Sequence, residues 1–415
     1  MRRVSTNMPN DDMQYRLRRQ EEALMNMQSK IGSQKRINEL RDDPLAASHT
    51  VRYESRLARL ERFEKNTLYA QDHYNQIDIY LQRSVDVMQR IRELSVQGAN
   101  GIYSREDLRN MAVEVNELMA ELVSIANASG PDGNRLFAGD KAFTEPFRIV
   151  EGTIQGGPES MIVQVEYRGA GPSRYAEISD GTYTSLDIGG GEAFWAEKMQ
   201  VFSNRDSSAW RATSEGAFYV DGREISVSIG DTLPAIVAKI NDSHAPVKAY
   251  IDPESRGISL EGTNPHLIRL DDKQGSNVLE ELGLIQANND PSAPNWNPGA
   301  RVSGGSVFDM VIRLRDALFR GDQDFTGSQG IGGIDLALQN LETSLANVGS
   351  KQERASMAWH RLNDEIPNTA SYIARESALD MTTAAMELAN MDFAHKAALQ
   401  TAARIIPPTL LDFLR

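Results

Sequence analysis

The sequence predicts an α+β protein whose N- and C-terminal segments form a long antiparallel helical, coiled-coil bundle with an inserted β-rich domain. Three observations predict this fold class. Residues 1–97 contain a single glycine and residues 350–415 contain none. Both ends carry apolar side chains spaced alternately three and four residues apart, the period of a coiled coil. By contrast, residues 145–300 hold 17 of the 31 glycines and short alternating segments typical of strands.

These shifts in pattern divide the 415 residues into three predicted domains. The terminal coiled-coil arms comprise residues 1–44 and 375–415. A helical bundle domain comprises residues 45–142 and 305–374, and an inserted β-rich outer domain comprises residues 143–304. The chain would therefore run out through helices, form the β-rich domain and return through helices.

The first arm is predicted to be a helix over residues 12–40. Its seam has the coiled-coil spacing and includes two glutamines: Met13, Leu17, Gln20, Leu24, Met27, Ile31 and Gln34. The apolar members predicted to form the assembly seam are Met13, Leu17, Leu24, Met27 and Ile31. Such a narrow and partly polar seam does not stabilise an isolated helix, so the arm needs a partner helix. An ordinary core helix is the alternative interpretation.

The next helix is predicted to begin at Pro44, because proline suits the first turn of a helix. The two acids before it, Asp42 and Asp43, fit helix capping and the helix dipole better than acid–base catalysis. Residues 98–101 end this helix, Ser104 caps the following one, and the glycine-rich turn at residues 129–134 ends that one. The result is a predicted antiparallel helical hairpin.

The middle of the chain changes to strand-like segments, at residues 161–167, 217–220, 224–228 and 257–261, with one short helix at about residues 233–241. This pattern predicts one or two small β-rich modules. In the same region Asp271 and Asp272 are interpreted as solvated carboxylates.

Helical spacing returns at Val307. The glycine-rich segment 321–333 is predicted to be a flexible loop, and the helix after it is predicted to end at Pro367. The last arm has a second seam, pairing with the first: Met381, Ala384, Leu388, Met391, His395, Ala398, Ala402 and Ile405. Its predicted assembly residues are Met381, Leu388, Met391, Ala398 and Ile405.

Composition narrows the function classes. The net charge is −14, and residues 145–300 hold 12 Lys and Arg against 23 Asp and Glu, which argues against nucleic acid as a partner. No apolar run is long enough to span a membrane, and the N-terminus lacks the apolar core of a secretory signal. There is no cysteine, and no histidine pair has metal-ligand spacing. We expect no catalytic residue, metal or cofactor.

Several segments together resemble the flagellin-like axial proteins of the bacterial flagellum. They are residues 1–9, residues 31–38, the run Asp42-Asp43-Pro44-Leu45-Ala46-Ala47, residues 127–139 and the C-terminal helix 378–406. The form of the Asp-Asp-Pro run, the Leu-Phe-Ala-Gly segment and the Leu-Leu-Asp-Phe-Leu ending are more similar to the hook-associated branch of that family than to filament flagellins. The resemblance covers about residues 1–145 and 305–415.

The resemblance implies a structural, non-enzymatic part of the flagellum that joins hook to filament. Such a protein is exported unfolded by the type III apparatus, to the outside of the cell or to the periplasm if the flagella are internal. It assembles as a homo-oligomeric ring, and its terminal arms order on polymerisation. The implied partners are the other hook-associated junction protein, flagellin and an export chaperone that binds the C-terminal arm.

Three alternatives remain. A filament flagellin would share the architecture. A surface adhesin on a helical stalk would bind its ligand through Trp195, Trp210, Trp296 and the tyrosines, although packing in small β cores is the favoured interpretation of these side chains. An enzyme carried by the β-rich domain would need a catalytic constellation that the sequence does not contain.

Overall fold

A computed structural model of the chain describes residues 8–141, 143–153, 160–170, 174–286 and 296–405; for residues 8–11 and 403–405 only the backbone is described. Within these residues it contains ten α-helices, one π-helical turn and eleven strands. The chain separates into two compact units. One comprises Met1–Lys65 and Trp359–Arg415, and the other comprises Asn66–Ala358. The predicted three-domain boundaries stay a prediction.

The helices are long near both ends of the chain and short in the middle. They are α1 (Met8–Ser33), α2 (Pro44–Ala99), α3 (Arg105–Ala126), α4 (Gly190–Ala193), α5 (Leu233–Asp242), α6 (Val278–Glu281), α7 (Val307–Arg320), α8 (Gln323–Phe325), α9 (Ile331–Ser377) and α10 (Met381–Ile405). The α+β class, with terminal helices around a β-rich region, is confirmed.

The strands all lie between α3 and α7. They are β1 (Phe147–Gly152), β2 (Met161–Tyr167), β3 (Tyr175–Ser179), β4 (Thr182–Ser185), β5 (Gln200–Phe202), β6 (Gly216–Val220), β7 (Arg223–Val227), β8 (Val247–Ile251), β9 (Ile258–Gly262), β10 (Leu270–Asp272) and β11 (Arg301–Ser303). They form two-stranded sheets β1–β2 and β3–β4, a three-stranded sheet in the order β10-β6-β7 and a four-stranded sheet in the order β11-β5-β9-β8. All the pairings are antiparallel.

The core of the larger unit is continuous from the helices into the β-rich region. Four phenylalanines meet there with ring centroids 5.1–5.8 Å apart, namely Phe137, Phe147, Phe194 and Phe308. Aromatic rings at these separations add pairwise attraction to the area that they bury. Arg315 on α7 is also fully buried, and it donates to the carbonyl oxygen of Ile162 (2.6 Å) and to Asn116 (2.9 Å). This arginine thereby joins α7, α3 and β2.

Two helix starts have the same chemistry. Ser104 and Ser306 each cap the following helix, and the acid three residues on, Asp107 or Asp309, bonds back to the cap. These reciprocal bonds form capping boxes, which satisfy backbone N–H groups that a helix start leaves open. The prediction that Ser104 begins a helix is therefore confirmed.

Three sequence-based predictions about helix limits are wrong. Helix α1 ends at Ser33 rather than near residue 40, because Gln34 adopts a positive φ of 57°. Gln34 is therefore not part of the helical seam. Helix α9 continues through Pro367 to Ser377. Proline removes only one backbone hydrogen bond, and Pro367 lies on the exposed side of the helix, where water can solvate the carbonyl left over.

The third wrong prediction is the flexible loop at residues 321–333. After Gly321 the chain is helical, through α8, the π-helical turn Thr326–Gly330 and the start of α9. The glycines allow close packing against α7. A Cβ on Gly330 would lie 3.1 Å from a Leu314 methyl group, and one on Gly333 would lie 2.8 Å from the Met310 sulfur. Glycine here permits close approach rather than flexibility.

Candidate assembly interface

The first and last helices pack against each other in the smaller unit. Lys35, which follows α1, forms an antiparallel bridge with Ala378, which precedes α10. The two helices therefore run antiparallel. Of the described α1 side chains from residue 12 onward, those that are half-buried are Met13, Leu17, Gln20, Leu24, Met27, Lys30 and Ile31, and the others are exposed. This set follows the predicted three-and-four spacing. It contains all five predicted N-terminal assembly residues.

The C-terminal half of this seam is built from small and polar side chains as well as large ones. Ala384 and Ala402 are buried, whereas Leu388, Met391, His395 and Ala398 are half-buried. Met381, which was also predicted for the seam, is 43% exposed. The side chain of Ile405 lies outside the described residues. We call the half-buried and buried residues of α1 and α10 the arm seam.

Two polar atoms within the arm seam have no hydrogen-bond partner. They are Oε1 of Gln20 and Nδ1 of His395, and both atoms are shielded from solvent. A shielded polar atom without a partner costs roughly 1–3 kcal/mol. Large apolar side chains on the same helices point to solvent, including Tyr15 (61% exposed) and Phe393 (77%). The helix pair therefore leaves both polar and apolar groups incompletely satisfied.

The turns between α1 and α2 and between α9 and α10 are joined by backbone pairing. Arg36 N–H donates to the Ser377 carbonyl (2.8 Å), and Leu379 N–H donates to the Gln34 carbonyl (3.2 Å). Lys35 and Ala378 form an isolated antiparallel bridge between these bonds. We call residues 34–43 and 376–380 the elbow.

The acidic run lies at this elbow and acts on the backbone. Asp43 accepts from the N–H of Ala46 (3.0 Å) at the start of α2, and Asp42 accepts from the N–H groups of Asn38 (3.1 Å) and Glu39 (3.3 Å). These bonds favour the ionised carboxylates and lower the pKa of both groups. The capping interpretation therefore fits Asp43, whereas Asp42 binds N–H groups of the preceding turn and does not cap α2.

The remainder of the run divides between buried and exposed positions. Pro44 and Leu45 are exposed, with Leu45 at 69%, whereas Ala46 and Ala47 are buried.

Farther along the smaller unit, Leu60 and Phe63 of α2 pack with Leu362 and the half-buried Ile366 of α9. These four residues form the main apolar cluster described in this unit. Its small size suits a unit that obtains further stabilisation from neighbours.

The tryptophans of the adhesin alternative and the acid Asp272 all contact other parts of the protein. Trp195, Trp210 and Trp296 are partly buried against the main core, and Trp210 donates to a Glu281 carboxylate oxygen (2.9 Å). Asp272 is not simply solvated. Burial raises its pKa to about 6, although it accepts from the N–H groups of Leu279 (3.1 Å) and Glu280 (3.3 Å).

The described residues contain no candidate metal site and no candidate membrane span. No group of three or more His, Cys, Asp or Glu side chains is placed to hold a metal ion. No described helix combines the length and the apolar character that crossing a membrane requires.

The N-terminal part of the chain is similar to a known protein family. Residues 4–142 match the bacterial flagellin N-terminal helical region. Flagellin FlaB1 of Treponema pallidum is 35% identical over 125 residues, which are 30% of this chain and 44% of that protein. Flagellar hook-associated protein 3 of Escherichia coli is 25% identical over 317 residues, 73% of this chain and 89% of the relative.

A solved structure of hook-associated protein 3 from Legionella pneumophila superposes on 78% of this chain with 16% identity and a TM-score of 0.47. Flagellins and hook-associated proteins are structural and not enzymatic. The sequence match, together with the terminal helices that enclose a β-rich region, makes the chain similar to the flagellin-like family of flagellar proteins.

Proposed function

We propose that this protein joins the flagellar hook to the filament, assembling as a ring of identical subunits through its terminal arms. Assembly through the terminal arms is supported by the arm seam, with its unpartnered Gln20 and His395 atoms and the exposed Tyr15 and Phe393 on the same helices. A neighbouring subunit would cover the exposed rings and complete the polar contacts. Burying apolar surface in this way contributes about 25 cal/mol per Å².

The junction role, rather than a filament role, is supported by the length of the match. The alignment with hook-associated protein 3 of Escherichia coli covers 89% of that relative and includes the β-rich region of this chain. The flagellin FlaB1 alignment covers 44% of its relative. Filament flagellin is the second candidate, because that alignment has the higher identity, 35% against 25%.

In this proposal the three predicted domains have separate tasks. The arms, residues 1–44 and 375–415, assemble. The bundle, residues 45–142 and 305–374, supports them, and residues 143–304 form the outer domain. The partners would be the other hook-associated junction protein, flagellin and an export chaperone on the C-terminal arm. The protein would leave the cell by type III export, to an external or a periplasmic flagellum.

Immunogold electron microscopy of isolated hook–filament structures tests this proposal, with antibody raised against residues 174–286. We expect label in a narrow band at the hook–filament junction. Label along the whole filament would make the protein a flagellin instead. Label elsewhere on the cell and absent from flagella would overturn the proposal and favour the adhesin alternative.

A further inference from the structure

Strand β1 has one edge that no strand covers among the described residues. Its other edge pairs with β2, with Phe147 opposite Tyr167 and Ile149 opposite Val165. In an antiparallel pair, alternate residues turn their N–H and C=O groups away from the partner strand. The bonding of Phe147 shows which residues these are.

The side chain of Asn127 occupies the outer edge at Phe147. Its Nδ2 donates to the Phe147 carbonyl (2.8 Å), and its Oδ1 accepts from the Phe147 N–H (2.9 Å). One carboxamide thus makes both hydrogen bonds that a residue of an adjacent strand would make. By the same alternation, the N–H and C=O of Ile149 point to this edge, two residues farther along, and Ile149 is 37% exposed.

A groove of about 740 Å³ runs along this open edge, between β1 and the helices α2 and α3. Its lining includes Asn127 and Ile149, and Arg83, Arg135 and Arg148 as cations. Arg135 is paired with Glu145 (3.1 Å). Arg83 and Arg148 are exposed and have no carboxylate partner among the described residues. Glu121 also lines the groove, so outside the Arg135–Glu145 pair the lining has two positive charges and one negative charge.

We propose that this edge groove binds an extended acidic segment of a partner protein, which adds a strand to β1. The backbone of the segment would bond to Ile149 and continue the pairing that Asn127 begins. Its carboxylates would bond to Arg83 and Arg148. In this mode of recognition, main-chain hydrogen bonds give affinity and side-chain contacts give specificity. Because Asn127 already occupies the edge at Phe147, the rest of β1 matches a partner segment of about five residues.

The interaction can be measured with the full chain and a defined probe. The probe is a fluorescein-labelled peptide of alternating threonine and glutamate, because alternation places the carboxylates on one side of a strand. A threonine–lysine peptide is the charge control. We expect the glutamate probe to bind at least about tenfold more tightly than the lysine probe, by anisotropy. Hydrogen exchange should show slower exchange at the Ile149 amide when the glutamate probe is bound.

Separate variants test the main-chain hydrogen bonds and the charge contacts of the proposed interaction. Ile149→Pro removes the outward N–H but leaves the bonds to β2, because proline is tolerated where a strand N–H faces outward. It should abolish binding. Arg83→Glu with Arg148→Glu should reverse the preference toward the lysine probe, whereas Arg109→Glu, an exposed change elsewhere on α3, should not.

Failure of the glutamate probe to bind, or protection that omits residues 147–152, would overturn the proposal. So would equal binding of both probes to the unmodified chain. If Ile149→Pro disturbs the β1–β2 pair, the charge-reversed double variant decides: an unchanged preference for the glutamate probe would contradict the assigned groove.

Discussion

His73 and His266 are both buried, yet their surroundings shift their pKa values in opposite directions. Burial lowers the pKa of His73, and the nearby Arg174 lowers it further; Asp187, 3.8 Å from Nε2, opposes this. Asp187 is already bound to Arg174 through two guanidinium nitrogens. The Nε2 atom of His73 has no hydrogen-bond partner. Burial and Arg174 together outweigh the attraction of Asp187, so the neutral ring of His73 is favoured.

At His266 both ring nitrogens face acceptors. Nε2 lies 3.0 Å from an Asp221 carboxylate oxygen, and Nδ1 lies 2.8 Å from the Asn264 carbonyl oxygen. Burial lowers the pKa of His266 most strongly, but the bond to Asp221, the charge of that carboxylate and the bond to Asn264 together outweigh burial, so the pKa is raised. Only the doubly protonated imidazolium donates to two acceptors.

These opposite shifts predict opposite effects of pH. With His73, the unfolded chain binds more protons, so the free energy of unfolding should fall as pH drops below about 6.5. His73→Gln should remove that loss. The contribution of His266 is present below its usual pKa and lost as pH rises through the raised folded value. His266→Gln should therefore destabilise mainly in acid.

Thermal unfolding of the two variants and the unmodified chain from about pH 5 to about pH 8 measures both effects, each variant serving as the control for the other. Parallel pH profiles for the two variants would contradict the assigned environments.

Asp272 gives a third prediction at this scale. Its pKa is raised by burial to about 6, so the folded protein binds more protons between the usual carboxyl pKa and about 6. Stability from this group is present in acid and is lost as pH rises through that window. Asp272→Asn keeps an oxygen to accept from Leu279 N–H and carries no charge. It should raise the thermal midpoint at neutral pH and have little effect in acid; an equal change at both would refute this.

The sequence predicted which segments are helical better than it predicted where each helix begins and ends. The capping box at Ser104 and the start of α2 at Pro44 are signalled locally, because cap and proline chemistry act within one turn. The end of α1 at Ser33 is set by backbone pairing with residues 377 and 379, more than three hundred residues away. No local pattern reports such a partner.

In the β-rich region, too, local features could be predicted from the sequence and long-range pairing could not. The strand segments near residues 161, 217, 224 and 257 were predicted, because alternation is a local signal. The order β11-β5-β9-β8 was not, since each strand has only three to five residues and β11 returns across about a hundred residues to pair with β5. The burial of Arg315 was also missed, because its acceptors come from α3 and β2.

Two glycines in α9 provide a matched test of packing against helix propensity. A Cβ on Gly349 would meet nothing within 4 Å, whereas one on Gly333 would lie 2.8 Å from the buried Met310 sulfur. Gly349→Ala should raise the free energy of unfolding by about 1 kcal/mol, the difference in helix propensity. Gly333→Ala should lower it, because overpacking costs roughly 1–3 kcal/mol. Denaturant unfolding compares the two, and equal stabilisation would show that Gly333 is not packed as described.

Across the described residues, buried apolar side chains are unequally distributed between the two units. The larger unit buries its phenylalanine cluster and Arg315, whereas the main apolar cluster described in the smaller unit is formed by Leu60, Phe63, Leu362 and Ile366. The first and last helices thus lie in the unit that has the smaller described apolar cluster. Under the proposed function, the neighbouring subunits supply the missing contacts.

A charge placed in the arm seam tests this dependence. Leu388 is half-buried on α10, and Asn390, about half a turn around the same helix, is exposed. Leu388→Lys should leave the larger unit folded but prevent incorporation into flagella, because an unpaired buried charge costs several kcal/mol and each copy in a ring repeats that cost. Asn390→Lys adds the same charge outside the seam and should assemble far better.

Motility and the amount of protein in purified flagella measure assembly, and circular dichroism with thermal unfolding confirms that each variant is folded. Normal incorporation of the Leu388→Lys protein would show that the α1–α10 seam is not required for assembly. Equal failure of both variants would place the assembly contact on the outward face of α10, near Phe393, instead of within the helix pair.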